Sequence, residues 1–157
     1  MSQTRSKSPA SGRRIAIAVA RFNAELTRQL LTGCRNTLLE AGLDEADIRV
    51  VHVPGAWELP LACRQLATSG GYEAVIALGA VVRGETAHFE FISAECARGL
   101  MQVSLETGLP VAFGVITPEN SRQALDRADP TRKNKGREAA LAALEMIALA
   151  AELDDAR

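Results

Sequence analysis

The sequence predicts an α/β protein, a three-layer αβα sandwich on a four-stranded parallel sheet. Three observations predict it. Four short β-branched or alanine-rich runs recur along the chain, a stretch of helical spacing follows each, and the runs lack clear polar alternation. Strands covered on both faces have that last property. Strand–helix alternation then implies right-handed crossovers with helices on both faces of the sheet.

Taken in order, the first strand is predicted over residues 14–20 (RIAIAVA). Residues 24–41 follow as a helix, with Leu26, Leu30, Cys34, Leu38 and Ala41 along one face and Gly42 as its stop. The second strand is 48–53 (IRVVHV), and its helix, 57–68, ends at Ser69-Gly70-Gly71. The third strand is 74–82 (AVIALGAVV), followed by a helix over 86–107 with Phe89, Ile92, Cys96, Leu100 and Val103 in one stripe. The fourth strand is 111–117 (VAFGVIT), and helices over 119–128 and from 134 to about 153 close the chain. Residues 14–153 are expected to form one domain, with 1–13 as a disordered tail and 154–157 as a charged tail.

At 157 residues and 47% hydrophobic content, the chain suits one substantial core. Basic and acidic residues number 18 and 19, so no global field recruits nucleic acid or a membrane surface. The three cysteines are widely spaced, without CxxC, and read as small apolar residues in a reducing compartment. No apolar run approaches the roughly 20 residues of a membrane span. The Ser-rich, basic start lacks the apolar stretch of a secretory signal. A soluble, cytoplasmic protein without metal or cofactor is expected.

Ligands of open parallel sheets bind beyond the carboxyl ends of the strands. Four loops fall there: Arg21-Phe22-Asn23, Pro54-Gly55-Ala56-Trp57-Glu58, the segment from Arg83 to His88, and Pro118-Glu119-Asn120. In the third, Gly84 permits close backbone approach, Thr86 suits a helix cap or a phosphate, and His88 can move a proton near neutral pH. The N–H groups at that helix start favour an anion. The spacing matches neither GxGxxG nor a P-loop, which disfavours a dinucleotide or nucleoside-triphosphate site. Glu58 suits either the helix dipole or a set of substrate hydroxyls. Trp57 reads as packing rather than a stacking platform, whereas Phe22, just past a strand end, is placed to stack on a flat heterocycle. Phe113, inside an apolar run, reads on its own as core. The basic segment 131–137 reads as a solvated turn, with a phosphate held by Arg127 as the sharper alternative.

Together the motifs ARFN (20–23), VPGAWELP (53–60), GAVVRGETAHFEF (79–91), FGVIT (113–117), QALDRA (123–128) and NKGREAA (134–140) resemble the lumazine synthase family, in order and interval, from about residue 14 to 153. The resemblance implies condensation of 5-amino-6-ribitylamino-pyrimidinedione with 3,4-dihydroxy-2-butanone 4-phosphate, the penultimate step of riboflavin biosynthesis. It implies a flavodoxin-like sheet of order 2-1-3-4. It assigns Phe22 to ring stacking, Ala56, Trp57 and Glu58 to the ribityl chain, and Val81 and Val82 to backbone contacts with the heterocycle. Gly84, Glu85 and Thr86 go to the phosphate, and His88 to proton transfer. Phe113, Arg127 and Lys135 are implied to come from a neighbouring subunit of a pentamer or an assembly of pentamers, with riboflavin synthase as a further partner. That overrides the core reading of Phe113. The segment 128–133, with Pro130, replaces a glycine-containing turn that many members have. A non-catalytic flavin or lumazine binder, a flavodoxin-like electron-transfer or signalling domain, and a structural shell protein are the competing readings. His88 and Arg127 count against the first. The second is weakened by the lack of a Ser/Thr-rich phosphate loop after the first strand.

Overall fold

The computed structural model describes residues 13–157, so of the tail expected over 1–13 only Arg13 falls within it. The elements run β1 (Ile15–Ala20), α1 (Ala24–Glu40), β2 (Ile48–Val53), α2 (Leu59–Thr68), β3 (Ala74–Ala80), α3 (His88–Thr107), β4 (Val111–Ile116), α4 (Ser121–Ala128) and α5 (Lys135–Asp155). Short 3₁₀ turns occupy Glu45–Asp47 and Ala56–Glu58. All strands pair in parallel, in the order β2-β1-β3-β4. This is the expected sandwich, with helices on both faces.

Alternate strand residues point to opposite faces, and both faces are apolar. Ile15, Ile17 and Val19, with Ile76 and Leu78, pack in one layer with Leu30, Cys34 and Leu38 of α1 and Ala140, Ala143 and Ile147 of α5. Ala16, Ala18 and Ala20, with Val75 and Ala77, pack in the other with Cys63 of α2 and Phe89, Cys96 and Leu100 of α3. Two apolar sets on one strand erase the polar alternation, which is why the sequence shows none. The edge strand β2 departs from this: Arg49 and His52 are exposed, and Val50 and Val51 only half-buried.

Element ends depart from the sequence reading where side chains or neighbouring strands intervene. β3 stops at Ala80, yet Val81 N–H still donates to Ile116 O (2.9 Å) and Arg83 N–H to Pro118 O (3.0 Å). The chain thus tracks β4 while its pairing with β1 ends at Leu78. α3 begins at His88 rather than 86, which lengthens the loop between them. α4 begins at Ser121 rather than 119 because the Asn120 side chain accepts from Gln123 N–H (2.9 Å) while Gln123 accepts from Glu119 N–H (2.8 Å), a reciprocal cap. α5 continues past 153 to Asp155.

All three cysteines are free and buried. Burial pushes the thiols of Cys34 and Cys63 up to about 12 and that of Cys96 up to about 11. They behave as small apolar residues and are poor nucleophiles. Among the described residues, no helix is long and apolar enough to cross a membrane, and no group of His, Cys, Asp and Glu could hold a metal ion.

Candidate functional site

The carboxyl ends of β1, β2 and β3 are tied to one another by the first loop, through its backbone to β2 and through the Asn23 side chain to β3. Arg21 N–H donates to Val53 O (2.8 Å) and Phe22 N–H to Pro54 O (3.0 Å), which extends the β1–β2 ladder past the sheet. Phe22 then projects into solvent, 71% exposed. Asn23 turns the chain in the left-handed region (φ 60°), and its side chain donates to Ala80 O at the end of β3 (2.9 Å). Asparagine is among the few side chains that tolerate this conformation.

Beside Phe22 stands the second loop. Ala56 is buried, and the Ala56–Glu58 turn leads directly into α2. A Cβ on Gly55 would lie 3.5 Å from Glu58 Oε2 and 4.0 Å from Phe22 Cβ, so the carboxylate and the ring flank the same glycine. Trp57 is 59% exposed, which corrects its reading as a packing residue. It follows a tight turn and has no layer above it.

In the third loop, Gly84, Glu85, Thr86 and His88 are all exposed. Ala87, not Thr86, takes the cap position of α3, and no side-chain oxygen caps the helix there. Thr86 Oγ1 instead accepts a long bond from His88 N–H (3.4 Å). The N-terminus of α3 thus has only that long contact from a side chain, and its dipole end lies at an exposed loop. α4 and α5 differ, each being capped by an asparagine side chain.

One open groove of about 870 Å³ collects most of these residues: Phe22, Ala56, Trp57, Glu58, Val81, Val82, Gly84, Thr86 and His88. Phe89, Phe91 and Ile92 extend its apolar wall. Glu85 lies on the same loop but outside the lining. The groove suits a flat aromatic ligand, with polar groups at its margins and an anion-attracting helix end at one side.

Arg83, which the sequence reading passed over, braces this loop. Its side chain pairs with Glu90 in the first turn of α3 and with Glu119 before α4. Its guanidinium lies 4.5 Å from the centroid of the Phe89 ring. The hydrogen bonds it donates to Glu90 and Glu119 hold the Arg83 guanidinium above its ordinary pKa, and the one to Glu90 holds that carboxyl below its own.

A second cleft of about 380 Å³ lies by β4 and is lined by Phe113, Thr117, Gln123, Arg127, Lys135 and Glu138, among others. It shares no residue with the first groove. β4 pairs only with β3, so it is an edge strand, and Phe113 is 48% exposed on it. An aromatic that looks internal in sequence is external in topology. Lys135 Nζ contacts Glu138 Oε2 (2.8 Å). Arg127 donates to Gln123 O (3.2 Å), and its guanidinium meets no carboxylate among the described residues. A half-buried guanidinium with no carboxylate partner is a ready phosphate ligand.

Asn134 holds this second cleft in shape. It is 1% exposed, and its φ is 25°. Its side chain donates to Gln29 O (3.0 Å) in α1 and to Ala128 O (2.7 Å), beside Arg127, and accepts from Arg137 N–H (2.7 Å) to cap α5. It occupies the space a Cβ on Gly33 would need, 2.0 Å from Asn134 Oδ1. The 131–137 segment is thus a solvated turn only in part: Lys133 pairs with Asp126, but Asn134 is core. The signal for Asn134 was its place before a helix, a cap position; Arg83 carried none.

A sequence model of the family described as 6,7-dimethyl-8-ribityllumazine synthase matches residues 12–151. The match spans nearly the whole chain, and the chain belongs to that family.

Proposed function

Proceeding from that membership, we propose that this enzyme condenses 5-amino-6-ribitylamino-pyrimidinedione with 3,4-dihydroxy-2-butanone 4-phosphate. The products are 6,7-dimethyl-8-ribityllumazine, inorganic phosphate and water. One observation carries the reading: an apolar groove with an exposed Phe22 and His88 and a separate cationic cleft with Phe113, Arg127 and Lys135 divide one substrate set between them. The groove has ring-stacking surface but no cation to hold a phosphate. The cleft has the cations but not the broad apolar wall of the groove.

A second copy of the chain brings the two together. In a homo-oligomeric ring, the cleft of one subunit closes over the groove of the next, so each site takes Phe113, Arg127 and Lys135 from the neighbour. Exposed apolar side chains on the α2–α3 layer support such burial, notably Leu61, Phe91, Met101 and Leu105. A pentamer, alone or assembled further, is the family's arrangement.

Within the closed site, Phe22 stacks on the pyrimidine, with Val81 and Val82 offering backbone groups to its edge. Ala56 and Trp57 line the ribityl chain, and Glu58 accepts its hydroxyls. Gly84, Glu85 and Thr86, at the open end of α3, receive the phosphate together with Arg127 and Lys135. The substrate amine is itself the nucleophile on the ketone. Imine formation releases one water, elimination releases phosphate and leaves a carbonyl, and attack of the second amine on that carbonyl closes the ring with loss of a second water. Each step moves a proton, which His88 relays. Holding two reactants in one closed site supplies much of the acceleration.

The test is incubation of the assembled protein with both substrates while following lumazine fluorescence and free phosphate. Equal appearance of both is expected. Saturating substrates with no lumazine formed would overturn the reading.

A further inference from the structure

Arg83 stands between the groove and the cleft and lines neither. Its Nη1 donates to Glu90 and its Nε to Glu119, while its backbone N–H holds Pro118 O at 3.0 Å. Glu119 N–H in turn donates to the Gln123 side chain at 2.8 Å, so the brace reaches the first turn of α4, the helix that carries Arg127. A guanidinium shared by two carboxylates has no net charge to offer a third anion. Arg83 is therefore not the phosphate's own ligand, although it sits beside the uncapped end of α3.

Without Arg83, two carboxylates would stand unpaired where a phosphate must approach, and the loop before His88 would lose its attachment to the β4–α4 turn. From this geometry we infer that Arg83 is a positioning residue for the phosphate-bearing substrate. It clamps the 84–87 loop between α3 and the β4–α4 turn and withdraws the charges of Glu90 and Glu119 from an incoming phosphate. The inference rests on the phosphate placement proposed above, and its phosphate-affinity arm can be read without turnover.

The experiment compares the wild-type assembly with Arg83→Gln and with the uncharged triple variant Arg83→Gln/Glu90→Gln/Glu119→Gln. Inorganic phosphate affinity and the two Michaelis constants are read. For Arg83→Gln, phosphate affinity falls and KM for the phosphorylated ketone rises by roughly five- to tenfold, a size set by partly exposed charges. KM for the pyrimidine stays within about twofold, and the effect shrinks in high salt. The triple variant regains most of the phosphate affinity, because no unpaired carboxylate remains. Should Arg83→Gln not assemble, Arg83→Lys carries the comparison, since a point charge reaches one carboxylate and loses about two- to threefold. Equal changes in both Michaelis constants, unchanged phosphate affinity, or no recovery in the triple variant would overturn the inference. A wild type that binds phosphate but forms no lumazine would retire the functional reading alone, and phosphate affinity would still judge Arg83.

Discussion

The groove at the ends of β1 to β3 and the cleft beside β4 solve different recognition problems with different materials. The groove is wide and mostly apolar, with Phe22 and Trp57 standing in solvent and a helix end that no side chain caps. The cleft is less than half its volume and cationic, framed by two helices whose ends are closed by Asn120 and Asn134. Shape and stacking select a flat ring and tolerate an open surface. A phosphate needs fixed donors, and fixed donors need a rigid frame. The open helix end is the exception in the groove, and in the proposed function it is where the phosphate-bearing substrate arrives. On the proposed function neither region is a whole site, and each half should fail in its own way.

The largest effect should come from the frame of the cleft. Asn134→Ala removes the α5 cap, leaves the carbonyls of Gln29 and Ala128 without their donor, and puts alanine at positive φ. We expect a loss on the order of 3 kcal/mol in denaturant unfolding of the assembly. Asn23→Ala, its counterpart beside the groove, removes one donor to Ala80 O and also puts alanine at positive φ, and should cost about 1–2 kcal/mol. Equal losses would mean that the cleft is no more rigidly framed than the groove.

The sequence carried different parts of this comparison unequally. The sheet and its layers were legible because Ile17 and Ala18, on opposite faces of β1, are both apolar, as only a doubly covered strand allows. Phe22 and the Ala56–Glu58 residues were legible because each follows a strand end, whereas Val81 and Val82 look like part of the third strand and only the resemblance singled them out. Trp57 and Phe113 misled when read residue by residue, since an aromatic in an apolar run looks buried and only the absence of a covering layer or strand exposes it. The resemblance to a family whose sites are shared between subunits moved Phe113 out of the core; nothing local did. Asn134 was hidden for the opposite reason. It lies among charged residues, and its burial depends on Gly33 and Gln29, the latter 105 positions away. Arg83 was invisible because its partners come from two elements whose packing no local pattern encodes.

Chemistry and binding should separate between the halves. His88→Ala should lower kcat by roughly 10- to 100-fold, because proximity persists while the proton relay is lost. A loss beyond about 10⁴-fold would mean that positioning is not the main term. Arg127→Ala should instead raise KM for the phosphorylated ketone by about tenfold, the scale of one charge-assisted bond. Mixing the two variants after dissociation sharpens the point. If every site draws His88 and Arg127 from different subunits, random reassembly makes both groups intact in about a quarter of the sites. Activity that stays at the level of the parent variants would confine each site to one chain.

The smallest effect probes whether both halves touch one ring. Phe22 and Phe113 belong to separate cavities in the single chain, so within one subunit their truncations have no reason to interact. In a closed site both approach the same heterocycle, and each truncation loosens the packing that the other depends on. Phe22→Leu and Phe113→Leu should each weaken pyrimidine binding modestly, and the double variant should depart from additivity by about 0.5–1 kcal/mol. The readout is KM or direct binding of the pyrimidine to the assembly. A coupling below about 0.3 kcal/mol is what independent sites give. That result would leave the cleft as a phosphate holder only, with Phe113 serving the subunit interface rather than the ligand.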